Sequence, residues 1–341
     1  MQIGLVYGGK GAEELSNSVA VYQIEKVLKK YDIITKRIYL NNKNLTINDI
    51  QKIDLFFVVD SNSVNPKIKL SIFNFIKQYN IPFVGQGQKT ILLARDKYKS
   101  NNLFATLHIL VPRSIVIDCN KSKSDKSFIT SVFKSIKTLN LNYPLVLKDN
   151  FGSSSENVFY CRDEKDIALT SITINELCKQ MLIEEYIEGR EMTIPYVKLF
   201  GKIVALNPVE IIYKGAIYNY QIKYKNYRIK SFIPTDLPIK IQKEIKKIVY
   251  KTNNAIRSNY YSRLDIKLRN NEIIVIEING EPTLCINDFV SMSARSMGLS
   301  HTKLIIGFLA NHQSFINYAE KRNKKLVRLI QNGQKIVNKI T

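Results

Sequence analysis

Asp265, Glu277 and Asn279 lie in two strand-like segments, SRLDIKL and EIIVIEIN, and carry the side chains that a hard cation prefers. Side chains alternate along a strand, so Ile274, Ile276 and Ile278 are expected on one side of the second segment and Glu277 with Asn279 on the other. Two carboxylates and an amide oxygen on one surface offer oxygen ligands only, which suits Mg²⁺ bridging phosphate groups. If the segments pair as a hairpin, Asp265 faces Glu277 only when the turn holds an odd number of residues, such as Asn270 to Glu272. A two-residue turn at Asn270-Asn271 would send the carboxylates to opposite faces. By itself, such an acidic strand end reads first as a solvated edge.

Two further segments could bind an anionic, partly aromatic ligand. In KDNFGSSSEN, Lys148 ends an apolar strand, and Gly152 with Ser153, Ser154 and Ser155 lets backbone N–H groups turn toward an anion. No Gly-Lys-Ser/Thr follows, so this is not a Walker A loop, and alone it reads as a surface turn. In IEEYIEGRE, Glu184 ends a strand, Tyr186 and Ile187 supply apolar surface, and Glu191 opens the next strand. A flat ring needs such a slot and a sugar needs such a carboxylate, although an ordinary hairpin has the same pattern.

The elements that must position these groups read as α/β, with mixed α+β character. QIGLVYGG, DLFFVVD and IPFVG are buried strands of a parallel layer. Between them, Ala20, Ile24, Val27, Leu28 and Tyr31 recur at helical spacing, and Leu70 to Tyr79 predicts a second helix. A new unit begins near Asp96, with a helix, the strand SIVID and a polar loop, NKSKSDKS. From Tyr143 the chain turns strand-rich, which implies two antiparallel strand sets packed on helices. Pro238 starts a helix with Ile241, Ile245, Ile248, Val249, Thr252 and Ile256 on one face. Val290 onward reads as helical to the end.

Composition narrows the chemistry. With 45% hydrophobic and 23% charged residues, 341 residues fit a globular enzyme of two or three modest cores. The apolar runs are too short to cross a bilayer, which suggests a cytoplasmic protein. Cys119, Cys161, Cys178 and Cys285 are widely spaced, as are His108, His301 and His312, so neither set suggests a zinc site or a histidine-based nucleophile. The formal charge of +22 would suit a nucleic-acid or membrane-surface partner. Lysine is nevertheless spread along the chain, and only KRNKKLVRLIQNGQKIVNKI concentrates it, which reads as a solvated terminal helix.

In chain order, the stretches GGKGAEELS, IPFVGQG, ARDK, PLVLKDNFGSSS, LIEEYIEGRE, YNYQIKY, SRLDIK and EIING make the sequence from Ile3 to about Leu309 resemble the D-alanine-D-alanine ligase branch of the ATP-grasp superfamily. The resemblance implies an N-terminal parallel-sheet domain (1–92) for the first amino acid. It further implies a central ATP-grasp subdomain (93–188), a C-terminal catalytic domain (189–316) and a basic tail (317–341), with ATP gripped between two antiparallel sheets. Lys97 and Lys148 would hold the ATP phosphates, Glu184, Glu185, Tyr186 and Ile187 would frame the adenine, Glu191 would hold the ribose, and Lys223 would reach the nucleotide. Asp265, Glu277 and Asn279 match magnesium ligands, expected to hold two Mg²⁺, with Mn²⁺ as a substitute. Arg263 matches the arginine that stabilises the oxyanion of acyl transfer, and Glu13, Ser153 and Tyr224 match a trio that secures the first amino acid. A homodimer acting in peptidoglycan synthesis for the cell wall is implied as well.

That chemistry has a physical logic. A carboxylate becomes electrophilic once it carries the γ-phosphoryl group, and an amine then displaces phosphate while water is excluded. The acceptor side departs from the family. A His-Gly segment and a Gly-Glu-Asp-Gly segment are missing from VVDSNSVNPKIKL, Thr283 stands where a glycine is expected, and Asp288 stands where a serine would receive the second D-alanine carboxylate. The resemblance therefore leaves open D-alanine or another acceptor, one with a positive charge or without a carboxylate. A catalytically idle ATP-binding protein and a basic nucleic-acid-binding module are the remaining alternatives.

Overall fold

The computed structural model describes residues 1–9, 11–40, 46–50, 52–61, 71–119, 124–225 and 229–341. Its first sheet contains β1 (Gln2–Tyr7), β2 (Ile34–Tyr39), β3 (Leu55–Val58) and β4 (Phe83–Val84), all parallel, in the order β2-β1-β3-β4. Parallel neighbours need a crossover, and the helix Ala12–Lys29 supplies the first by burying Ala20, Val21, Ile24, Val27 and Leu28. Tyr31, expected on this helix, lies past its end. The second expected helix runs Ser71–Tyr79, and its anticipated first residue, Leu70, lies outside the described residues.

A second sheet is antiparallel and contains β5 (Ser114–Asp118), β6 (Leu145–Asp149), β7 (Val158–Cys161) and β8 (Gln180–Glu185), in the order β5-β8-β6-β7. Helices Asp125–Thr138 and Glu164–Leu177 cover one face, where Phe128, Val132, Ile167 and Ile174 pack on Leu145, Leu147, Met181 and Ile183. Alternation then sends Val146, Lys148 and Glu184 to the other face. The polar loop expected over NKSKSDKS is shorter than its sequence suggests. Residues 120–123 lie outside the described residues, whereas Ser124 caps the following helix and Asp125–Ser127 form its first turn.

The third sheet contains β9 (Arg190–Leu199), β10 (Lys202–Ala205), β11 (Val209–Ile212), β12 (Lys230–Phe232), β13 (Tyr261–Arg269) and β14 (Glu272–Asn279). Its order is β12-β11-β9-β13-β14, with β10 also on β9. The helix Ile239–Ile256 packs its six expected residues behind this sheet, with Pro238 at its N-cap. Gly189, at φ +147°, joins the second sheet to the third. A Cβ there would lie 2.6 Å from the Leu268 carbonyl, so only glycine permits this approach.

The hairpin of β13 and β14 departs from the expected geometry. Arg269 pairs with Glu272 across a two-residue turn, with Asn270 and Asn271 both left-handed (φ 49° and 66°). That turn alone would set Asp265 opposite Ile276. A β-bulge shifts the register between Asp265 and Ile266, leaves Ile276 unpaired, and brings Glu277 opposite Asp265. The carboxylates therefore do face each other, through a bulge and not through an odd-numbered turn. The expected isoleucine face is corrected too: Ile278 joins Ile273 and Val275 in the core, whereas Ile276 lines a cavity beside Glu277.

The single helical run expected from Val290 is broken into four helices, Phe289–Ser296, His301–Leu309, Gln313–Arg322 and Lys324–Ile340. Leu304, Ile305 and Phe308 belong to the same core as Leu5 and Phe57 of the first sheet. In the last helix Leu326, Ile330, Gly333 and Val337 are buried, while Lys324, Lys325, Arg328, Lys335 and Lys339 are exposed. Among the described residues no helix is long and apolar enough to cross a membrane, and all four cysteines are free.

Candidate active site

The exposed-core face of the second sheet and the β13–β14 face of the third enclose a cavity of about 130 Å³. Lys148 on β6 and Glu184 on β8 stand on one wall, paired at 2.6 Å with side chains only 5% and 4% exposed. Burial works against the Lys148 charge, but Glu184 and Glu277 outweigh it and raise the ammonium pKa above its usual value. The second Glu184 oxygen, Oε2, is buried and has no hydrogen-bond partner among the described residues, which leaves it open to a donor from a ligand. Val146, Tyr186 and Ile187 line the same space and give it an apolar side. The Tyr186 hydroxyl donates to the Ala216 carbonyl at 3.0 Å, and Glu185 is drawn outward to Arg113.

The opposite wall carries Glu191, Asp265 and Glu277. Glu191 is held by Lys267 at 2.7 Å and accepts from the Tyr213 hydroxyl at 2.5 Å. Lys97, at the start of the helix Lys97–Thr106, reaches across to Glu277 at 3.7 Å and donates to the Gly152 carbonyl. Burial lowers the Lys97 pKa, with Glu277 opposing and Lys148 assisting. The Asp265 oxygens accept from Arg263 Nε and Nη2 at 2.9 and 3.0 Å, and Asn279 Oδ1 accepts from the Glu281 backbone N–H at 3.0 Å. Among the described residues no three His, Cys, Asp or Glu side chains converge as a metal cage. Two facing carboxylates with an amide oxygen nearby still fit Mg²⁺, which commonly takes one or two carboxylates and fills its remaining positions with phosphate oxygens and water.

A second chamber of about 520 Å³ shares Lys97, Asp265 and Glu277 with the first, and is lined further on by Glu13, Lys223, Tyr224, Arg263, Thr283 and Asp288. Lys223 lines this chamber and not the first; its ammonium lies 5.3 Å from the Tyr224 ring centre. Tyr224 itself packs against Tyr220, whose backbone N–H donates to the Ser155 carbonyl at 3.0 Å. Glu13 accepts a hydrogen bond at 2.6 Å from Ser154, where Ser153 was expected. Ser154 and Ser155 both have positive φ (56° and 58°), and this left-handed pair redirects the loop, so that the second serine points at Glu13. If Glu13 secures the first amino acid, as the resemblance implies, replacing Ser154 with alanine is expected to raise its KM about tenfold, the scale of one hydrogen bond to a charged group. Ser153→Ala should change it by less than about twofold on that scale, and steady-state kinetics of the two variants compares them.

Sequence reasoning missed Asp60, Ser61 and Glu281. Glu281 accepts from the Ser61 backbone N–H at 2.9 Å and from its hydroxyl at 3.0 Å, while Asn17 donates to Asp60 at 2.8 Å. Burial and the nearby Asp60 charge push the Glu281 carboxyl up to about 8. One signal was available, a carboxylate two residues beyond Asn279. Asp60 ends DLFFVVD, expected as a strand with no chemical role, and residues 62–70 of the segment that follows lie outside the described residues.

Known proteins share this arrangement of sheets. The family described as "D-ala D-ala ligase C-terminus" matches residues 103–310, more than half of the chain. The D-alanine--D-alanine ligase of Buchnera aphidicola subsp. Schizaphis graminum is 30% identical over 241 residues, covering 70% of this chain and 76% of that protein. The enzyme of the same name from Clostridium botulinum (strain Alaska E43) is 25% identical over 312 residues, 89% of this chain and 96% of its own. A crystal structure of D-alanine--D-alanine ligase from Bacillus anthracis shares the fold, with a TM-score of 0.75 at 20% identity, covering 94% of this chain and 99% of that one. On the family match and the Buchnera relative together, the chain belongs to the D-alanine-D-alanine ligase family.

Proposed function

We propose that this protein is an ATP- and Mg²⁺-dependent ligase that activates an amino-acid carboxylate as an acyl phosphate and joins it to an amine. One observation carries the reading: Lys97, Asp265 and Glu277 belong at once to a cavity with an apolar side and paired charges, of a size for the base of a nucleotide, and to a larger chamber containing Arg263 and Glu13. Phosphate oxygens held at that shared wall would lie where the two reactants meet.

Each step has residues suited to it. The adenine lies against Val146, Tyr186 and Ile187, and its amino group donates to the unmet Glu184 Oε2; Glu191 takes the ribose hydroxyls. Lys97 and Lys148 neutralise the phosphates, and Lys223 adds charge from the second chamber. Asp265, Glu277 and Asn279 would hold Mg²⁺, which when bound would help neutralise the phosphoryl oxygens. Glu13, braced by Ser154, pairs with the ammonium of the first amino acid and leaves its carboxylate facing the nucleotide. The carboxylate oxygen bonds to the γ-phosphorus as the bond to ADP breaks. The uncharged amine nitrogen then bonds to the acyl carbon while Arg263 meets the developing oxyanion, and its collapse breaks the bond to phosphate, which leaves with the amine proton. In this reading residues 1–92 serve the first amino acid, 93–188 and 189–316 close on ATP, and 317–341 form a basic tail. The family resemblance supports a homodimer, which sedimentation velocity tests.

A second reading of the acceptor has its own support. Thr283 and two acidic side chains, Asp60 and Asp288, line the chamber around Arg263, and they favour an acceptor other than D-alanine, one without a free carboxylate or with a positive charge. Purified protein with ATP, Mg²⁺ and a panel of D- and L-amino acids and amines, followed by phosphate release and product mass, tests both readings. Product with D-alanine alone favours D-alanyl-D-alanine formation, product only with another amine favours the second reading, and no nucleotide turnover with any of them rejects the ligase reading.

A further inference from the structure

Arg263, its side chain 12% exposed, shares its chamber with Asp265 and Asp288. Its guanidinium holds both oxygens of Asp265, rests 5.4 Å from the Phe289 ring centre, and feels the charge of Asp288 next after that of Asp265. Asp288 in turn takes its largest favourable charge influence from Arg263, while its Oδ1 caps the helix Phe289–Ser296 by accepting from the Phe289 N–H at 2.5 Å. The second oxygen of that carboxylate is thereby left for another donor.

These contacts create a conflict that the site has to resolve. An Asp265 carboxylate engaged by two guanidinium N–H groups has less charge to offer a divalent cation, and a largely buried arginine that loses the carboxylate it is bonded to is destabilised. We propose that Asp288 is the positioning residue that receives Arg263 when Asp265 turns to cation binding, so that the guanidinium leaves the cation's ligand and stays in the acyl-transfer chamber. The Phe289 ring, one residue along the chain, supports the guanidinium in both positions. This inference rests on the ligase reading above.

The test is a binding measurement. Mn²⁺ is titrated into the protein with a non-hydrolysable ATP analogue, and free Mn²⁺ is followed by electron paramagnetic resonance. Asp288→Asn keeps the helix cap, since asparagine caps as well as aspartate, but removes the charge that receives Arg263. Mn²⁺ affinity is expected to fall roughly tenfold, the lower end of what partners behind metal ligands contribute, with the thermal midpoint unchanged. Asp288→Ala should lose the same affinity and also some stability, which separates the charge from the cap. In the Arg263→Gln background Asp265 has no competitor, so adding Asp288→Asn should change Mn²⁺ affinity by less than about twofold. Unchanged Mn²⁺ affinity in Asp288→Asn, or the same loss with and without Arg263, would overturn the proposal. A raised acceptor KM with unchanged Mn²⁺ affinity would overturn it too and assign Asp288 to the acceptor. Wild-type protein that binds no Mn²⁺ with the analogue would overturn the ligase reading together with it.

Discussion

Glu277→Gln is expected to lower kcat/KM for ligation by about a thousandfold or more, a loss of roughly 4 kcal/mol in transition-state stabilisation. The side chain faces Asp265 across the bulge, reaches Lys97 and belongs to both cavities. Burial opposes its charge, but Lys97, Lys148 and Arg263 hold its carboxyl below the usual carboxylate range. Glutamine keeps the volume and one acceptor oxygen while it removes that charge, so Lys97 and Lys148 are left unbalanced and a divalent cation loses a ligand. Steady-state kinetics over a range of Mg²⁺ concentrations measures the loss. A variant that ligates at the wild-type rate would reject the assignment.

Lys148→Met should have two separable consequences. Glu184 is almost wholly buried, so removing its ammonium partner is expected to destabilise the fold by roughly 3–5 kcal/mol. The double variant Lys148→Met/Glu184→Leu removes both charges and should recover most of that stability, as apolar replacements of buried pairs commonly do. Nucleotide affinity should fall about 100-fold in the single variant, because a charge-assisted contact to phosphate is missing, and should be at least as low in the double variant, which also lacks the Glu184 acceptor. Thermal unfolding and equilibrium binding of a fluorescent ATP analogue measure the two effects. If the double variant bound nucleotide normally, Lys148 would be a structural partner of Glu184 and nothing more.

Much of the fold was legible because it rests on local periods. The face of the helix Ile239–Ile256 follows from a spacing of three and four residues, and its expected residues are all buried. The separation of Lys148 and Glu184 from Leu147 and Ile183 follows from strand alternation. The helical run after Val290 was harder to read, since Gly298 and the caps at Ser300, His312 and Asn323 divide a stretch whose composition stays helical throughout.

By itself, the sequence determined the types of group on offer: oxygen ligands on one face of a strand, and a lysine beside a small-residue loop. The order of its motifs, through the family resemblance, supplied the class of chemistry and the roles expected of Lys97 and Arg263. Tertiary structure decided which of these groups meet. The opposition of Asp265 and Glu277 needs an unpaired Ile276, the Glu13 contact goes to Ser154 through a left-handed loop, and Arg263, bonded to Asp265, comes to share a chamber with Asp288. The physical reason is that periodicity is carried by neighbours in the chain. Register across a hairpin and the approach of residues far apart in sequence instead depend on bulges, backbone handedness and the packing of whole sheets, which no short segment encodes.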